Sequence, residues 1–113
     1  MELSAEDRKL VTLARATRSR TGAAEGAAVR DSDGRTYAAA TVSLPSLELS
    51  AVQVCVAMAV ASGSRGLDAV VILGEATDLS APDQAVLRDF GGAEVAVHLG
   101  DPQGRIASSR LQR

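Results

Sequence analysis

The run of residues 49–62 contains no charged side chain, and this constrains the fold more than any other feature of the chain. Ser50 followed three residues later by Gln53 is a capping-box pattern, so the run is predicted as a helix. Val52, Val54, Cys55, Val56, Met58, Ala59 and Val60 then fall on every side of it. A helix without a polar face is surrounded by protein and does not lie on a surface. In a chain of 113 residues one sheet covers only part of such a helix. A second subunit is the expected cover for the rest. Val52, Cys55, Val56, Met58 and Ala59 are the expected interface residues, and a homo-oligomer, dimer or tetramer, is the expected partner. The run falls short of the roughly 20 apolar residues of a membrane span, so no membrane partner is expected.

Around that helix the chain reads as alternating elements. Ser4 and Asp7 open a first helix over residues 4–18, with Leu10, Leu13, Ala14 and Thr17 on one face. Residues 27–30 and 36–42 read as strands joined by the turn Asp31-Ser32-Asp33-Gly34. Pro45 is expected to end that strand region. Residues 69–73 are continuously apolar, as in a strand buried on both faces. Residues 78–91 read as a third helix capped by Ser80, with Pro82 in its first turn and Val86, Leu87 and Phe90 inward. Residues 94–99 form a further strand, with Val95, Val97 and Leu99 on one face. The tail from Ile106 adds a short edge strand. The order α-β-β-α-β-α-β(-β) predicts an α/β fold of three α-β-α layers around a mixed sheet of 4–5 strands. One domain over residues 1–113 is expected.

Composition narrows the function. The only aromatic residues are Tyr37 and Phe90, and the net charge is -2. Base stacking and a basic field are both missing, so nucleic acid is not an expected partner. One Cys and one His cannot complete a tetrahedral Cys/His zinc site. The acidic, polar start lacks the pattern of a secretory signal, and a cytoplasmic protein is expected.

Several segments in this order resemble the small homo-tetrameric zinc cytidine deaminases. Gly26-Ala27-Ala28-Val29 with Asp33-Gly34-Arg35 is similar to that family's first hairpin. Leu49-Ser50-Ala51 leads into a helix where the family reads Leu-Thr-Ile-Cys-Ala-Glu. Val86-Leu87-Arg88-Asp89-Phe90 is similar to the segment after its Pro-Cys-x-x-Cys. The resemblance runs from about Leu10 to Gly104. It implies the cytidine deaminase-like fold, and it also locates the family's chemistry. The zinc-ligand positions fall on Val52, Ser80 and Asp83. The proton-shuttling glutamate falls on Val54. The ribose-binding Asn and Glu fall on Thr41 and Ser43, and the pyrimidine-packing Phe on Ala23.

None of these residues is the family's own. Valine offers a metal no lone pair, and without a metal-activated water and a proton shuttle the family's hydrolysis has no mechanism. The expectation is a protein without catalytic residues, metal or cofactor: a pseudoenzyme acting through homo-oligomer assembly or through another macromolecule. Two alternatives stand beside it: an active nucleoside deaminase with a non-standard site, and a nucleoside-binding sensor whose remnant pocket is formed by Ala23, Thr41 and Ser43. Val52 and Val54 are expected to fill the former site, with Ser80 and Asp83 as helix-capping groups. Glu75, Asp78 and Asp83 are too few oxygens for a hard cation and read as solvated acids. His98 lies opposite the Val95/Val97/Leu99 face and reads as a packing or surface residue. Cys55 reads as structural, since burial in an apolar helix makes a thiol inert.

Overall fold

The computed structural model describes residues 2–112. Three helices and seven strands follow in the order α1 (Ala5–Thr21), β1 (Gly26–Asp31), β2 (Thr36–Ala40), β3 (Val42–Leu44), β4 (Leu47–Leu49), α2 (Ala51–Ala61), β5 (Leu67–Leu73), α3 (Ala81–Gly91), β6 (Ala96–Gly100) and β7 (Ile106–Leu111), with a 3₁₀ turn over Gly92–Glu94. Five strands form one sheet in the order β2-β1-β5-β6-β7. The central pair β5/β6 is parallel and the others are antiparallel. The expected mixed sheet is therefore observed.

The period-2 alternation of the strands builds the three layers. Ala27 and Val29 of β1, Val70 and Ile72 of β5, and Val97 and Leu99 of β6 pack with α2 and α3. Ala28, Ala69, Val71 and Leu73 pack with Leu10 and Ala14 of α1 on the other side. The small residues on that face let α1 lie close. A Cβ added at Gly26 would collide with the carbonyl oxygen of Ala14 and lie 2.7 Å from Arg18 Cβ. The first helix runs one turn beyond its expected end because Gly22, at φ 67°, supplies the left-handed C-cap, donating to Arg18 O.

One expectation is corrected. Pro45 does not end the strand region: it sits in the turn of a second, two-stranded hairpin, where Val42 pairs with Leu49 and Leu44 with Leu47. Proline is tolerated there because a turn needs no ladder donor from it. In α2 the buried side chains fall on one side of the helix. Val52, Cys55 and Ala59 are fully buried and Val56 nearly so, all within the subunit's own core, and only Met58 of the five expected interface residues is half-buried. An all-apolar helix carries no periodic signal of which side meets the sheet.

Candidate functional site

The first turns of α2 and α3 meet at the end of the sheet, and their capping residues are what bring them together. Ser50 caps α2, accepting from Gln53 N, while Gln53 Oε1 accepts from Ser50 N. Ser80 caps α3, accepting from Asp83 N at 3.2 Å. Ser50 Oγ then donates to Asp83 Oδ1 at 2.6 Å, joining the two helix starts. Asp83 is 4% exposed. A carboxylate placed there gains from the positive ends of both helices.

Glu25 completes this corner. Its backbone is held by Thr41, whose Oγ1 accepts from Glu25 N at 3.0 Å and donates to Glu25 O at 3.3 Å. Burial pushes the Glu25 carboxyl above its ordinary range, and the Asp83 charge pushes it further. A hydrogen bond from the Ala51 backbone acts against both. Glu25 and Asp83 share a cavity of about 50 Å³ that Leu79 and Ser80 help to line. On its other side Glu25 borders an open cleft of about 260 Å³ with Thr41, Ser43 and Ser50.

The structure thus gathers most of the residues singled out from the sequence. Val52, Ser80 and Asp83 lie at the adjoining helix starts, and Thr41 and Ser43 share one cleft. Ala23 lines neither space. Val52 is fully buried in the core and Val54 half-buried against it, and neither borders the cavity that remains. Glu25 was missed because it stands in a segment that reads only as a helix breaker. Its sole sequence signal is an acid among small residues before a strand.

The residues here do not fit a tetrahedral zinc ion. Val52 has no donor atom, the Ser80 hydroxyl accepts the Asp83 amide, and Asp83 Oδ1 accepts the Ser50 hydroxyl. Among the described residues no group of three or more His, Cys, Asp or Glu could hold a metal. Asp78 points instead to Arg110, at 2.7 Å. Burial pushes the Cys55 thiol up to about 12, and its Sγ donates to Tyr37 O at 3.7 Å. His98 lies on the far side of the sheet, fully buried, with Nε2 2.7 Å from Asp7 Oδ2 and Nδ1 2.7 Å from Ser109 Oγ.

The fold and sequence both have counterparts among known proteins. The chain superimposes on cytidine deaminase from Burkholderia pseudomallei with a TM-score of 0.82 at 21% identity, covering 97% of this chain and 94% of that one. For cytidine deaminase from Mycobacterium leprae the TM-score is 0.76 at 21% identity, with 96% and 95% covered. For that of Bacillus anthracis it is 0.68 at 15% identity, with 96% and 84% covered. No curated protein is a significant match. A sequence model of the family described as cytidine deaminase-like matches residues 3–104. This chain belongs to the cytidine deaminase-like family.

Proposed function

We propose that this chain is a non-catalytic member of its family, one domain over residues 1–113, that works by assembling with copies of itself or by engaging another macromolecule. One observation carries the loss of catalysis. The Ser50–Asp83 hydrogen bond occupies the junction where the family's helices would share a metal, and buried Val52 supplies no ligand. With no metal-activated water there is no nucleophile for deamination.

The assembly reading rests on the outer face of α2. Val54, Ala57, Met58 and Ala61, spaced as one helical stripe, stay partly or fully open, and Val60 beside them is 53% exposed. Leu44 and Leu47 on the neighbouring β3–β4 hairpin are exposed as well. A charge-free apolar stripe flanked by exposed leucines is suited to a second apolar surface.

The test combines three measurements on the purified protein. Light scattering at micromolar concentration is expected to give a dimer or tetramer. Metal analysis after zinc loading is expected to find no stoichiometric zinc, and cytidine absorbance is expected to stay constant. A monomer removes the assembly reading. Stoichiometric zinc with conversion to uridine removes the non-catalytic one and restores an active deaminase.

The cleft beside Glu25, Thr41 and Ser43 favours a second reading, a nucleoside sensor without catalysis. Thermal shift against a nucleoside panel tests it: a ligand at 100 times its dissociation constant stabilises by about 2.7 kcal/mol.

A further inference from the structure

The corner where α2 and α3 meet is bounded by residues 74–80, the connection from β5 to α3. This segment has empty space on both sides. Toward the core lies the cavity of about 50 Å³ that holds the Glu25 and Asp83 carboxyls, with Gly74, Ala76 and Leu79 in its wall. Toward β7 lies a cleft of about 280 Å³, bordered by residues 74–77 and the β6–β7 turn. Gly74, Ala76 and Leu99 border both spaces. The inner cavity admits water but no organic ligand. Joined to the outer cleft, it would reach the lower size of small-molecule pockets, roughly 300 Å³.

The ends of the segment are anchored, Gly74 N donating to Gly100 O at 3.0 Å and Ser80 capping α3, and between them Leu79 O accepts from Gln84 Nε2 at 3.4 Å and two further contacts hold it down. Leu79, 7% exposed, is inserted into the core. Asp78 Oδ1 accepts from Arg110 Nη2 of β7 at 2.7 Å and from its neighbour Leu79 N at 2.8 Å. The side chains of Asp78 and Arg110 are 64% and 44% exposed. An exposed pair is weak and is screened by salt. The remaining side chains of the segment are small or point outward.

We infer that residues 74–80 are a strap that closes the Glu25–Asp83 cavity, and that the Asp78–Arg110 ion pair governs how often it lifts into the outer cleft. Closed, the strap covers the cavity side of the Asp83 carboxylate, while Glu25 remains open to the cleft on its other side. Lifted, it withdraws Leu79 and joins the two spaces into one acidic pocket. The strap is independent of whether the protein assembles or binds a nucleoside.

Cysteine labelling reads the opening directly. Leu79→Cys places a thiol on the buried point of the strap, while Cys55, deep in the core, stays silent to a small alkylating reagent. Adding Arg110→Gln to Leu79→Cys is expected to speed labelling about two- to fivefold, the weight of an exposed ion pair. Added salt is expected to speed labelling with Arg110 present and to have no effect once it is replaced. Equal rates in the two backgrounds, or equal responses to salt, overturn the proposal. So does a labelling rate whose denaturant dependence equals that of global unfolding. Hydrogen exchange at the Leu79 amide, compared between the native chain and Arg110→Gln, makes the same test without the cysteine and is decisive in the same way.

Discussion

His98 Nε2 lies 2.7 Å from Asp7 Oδ2, although the two residues are 91 positions apart. Asp7 sits in the first turn of α1 and His98 in the middle of β6. The other carboxylate oxygen of Asp7 accepts from Arg30 Nη1 of β1 at 2.8 Å. Burial alone would raise the Asp7 carboxyl, but the hydrogen bonds and charges of His98 and Arg30 outweigh it and hold it below the ordinary range. An ionised Asp7 only accepts, so His98 Nε2 carries the proton of that bond. When the ring is neutral, Nδ1 accepts from the Ser109 hydroxyl. One carboxylate thereby fastens α1 to two strands, and β7 joins through the imidazole.

Asp7→Asn is expected to cost about 3 kcal/mol at neutral pH, the low end for breaking a buried charge pair. The sign follows from the depressed carboxyl. Its contribution is complete above the unfolded value near 3.9 and fades as pH falls through the lower folded value. Urea denaturation of both proteins between pH 7 and pH 3 checks this; the gap between them should narrow only below about pH 4.

Glu25 is expected to behave in the opposite way. Its carboxyl is raised in the folded state, so its ionised form opposes folding, and the native chain should gain stability as pH falls from neutral toward about 4. Glu25→Gln is expected to stabilise at pH 7 by less than about 1 kcal/mol, because a half-exposed group is screened by solvent. The gain should shrink on acidification. Chemical denaturation across that range reads both effects.

Asp31 anchors the first hairpin from inside. It is fully buried. Its Oδ1 accepts from Asp33 N and Arg35 N, both at 2.9 Å, and its Oδ2 accepts from the hydroxyls of Ser64 and Tyr37. Asp31→Ala removes the shared acceptor of four hydrogen bonds, only the Tyr37 and Ser64 hydroxyls being able to pair with each other at 3.1 Å, and is expected to cost about 3 kcal/mol, measured by thermal or urea unfolding.

Met58→Glu and Ala57→Glu place charge on the open side of α2. Each is expected to shift the assembly toward monomer in sedimentation; Ala57→Glu, at an exposed position, should change monomer unfolding by less than about 1 kcal/mol, and Met58→Glu, which packs against the core, should cost more. An unchanged sedimentation profile would remove this face from the interface.

Gly26→Ala tests the close seat of α1. The added methyl meets backbone at Ala14, which cannot rotate away as a flexible side chain could. A loss of about 1–3 kcal/mol is expected, as for overpacking elsewhere.

Strong local patterns made the fold legible. The caps at Ser4, Ser50 and Ser80 opened helices where expected. The turn at Gly34 and the apolar run of β5 were equally plain. The β3–β4 hairpin was hidden because Pro45 looks like a terminator and its strands have only three residues each. The phase of α2 was hidden because every side of it is apolar. At the site, the positions of Val52, Ser80 and Asp83 could be read in order, but the Ser50–Asp83 bond spans 33 positions and has no local signature. The same is true of His98. Read alone it lacked any organising neighbour, while the structure supplies two, from α1 and β7.

The hydroxyl-to-carboxylate link between the starts of α2 and α3 has a consequence for how the molecule matures. On the proposed reading, the two helix starts are stapled by the chain's own side chains, so that joining them would need no ion. Chelators and metal scarcity should leave it untouched.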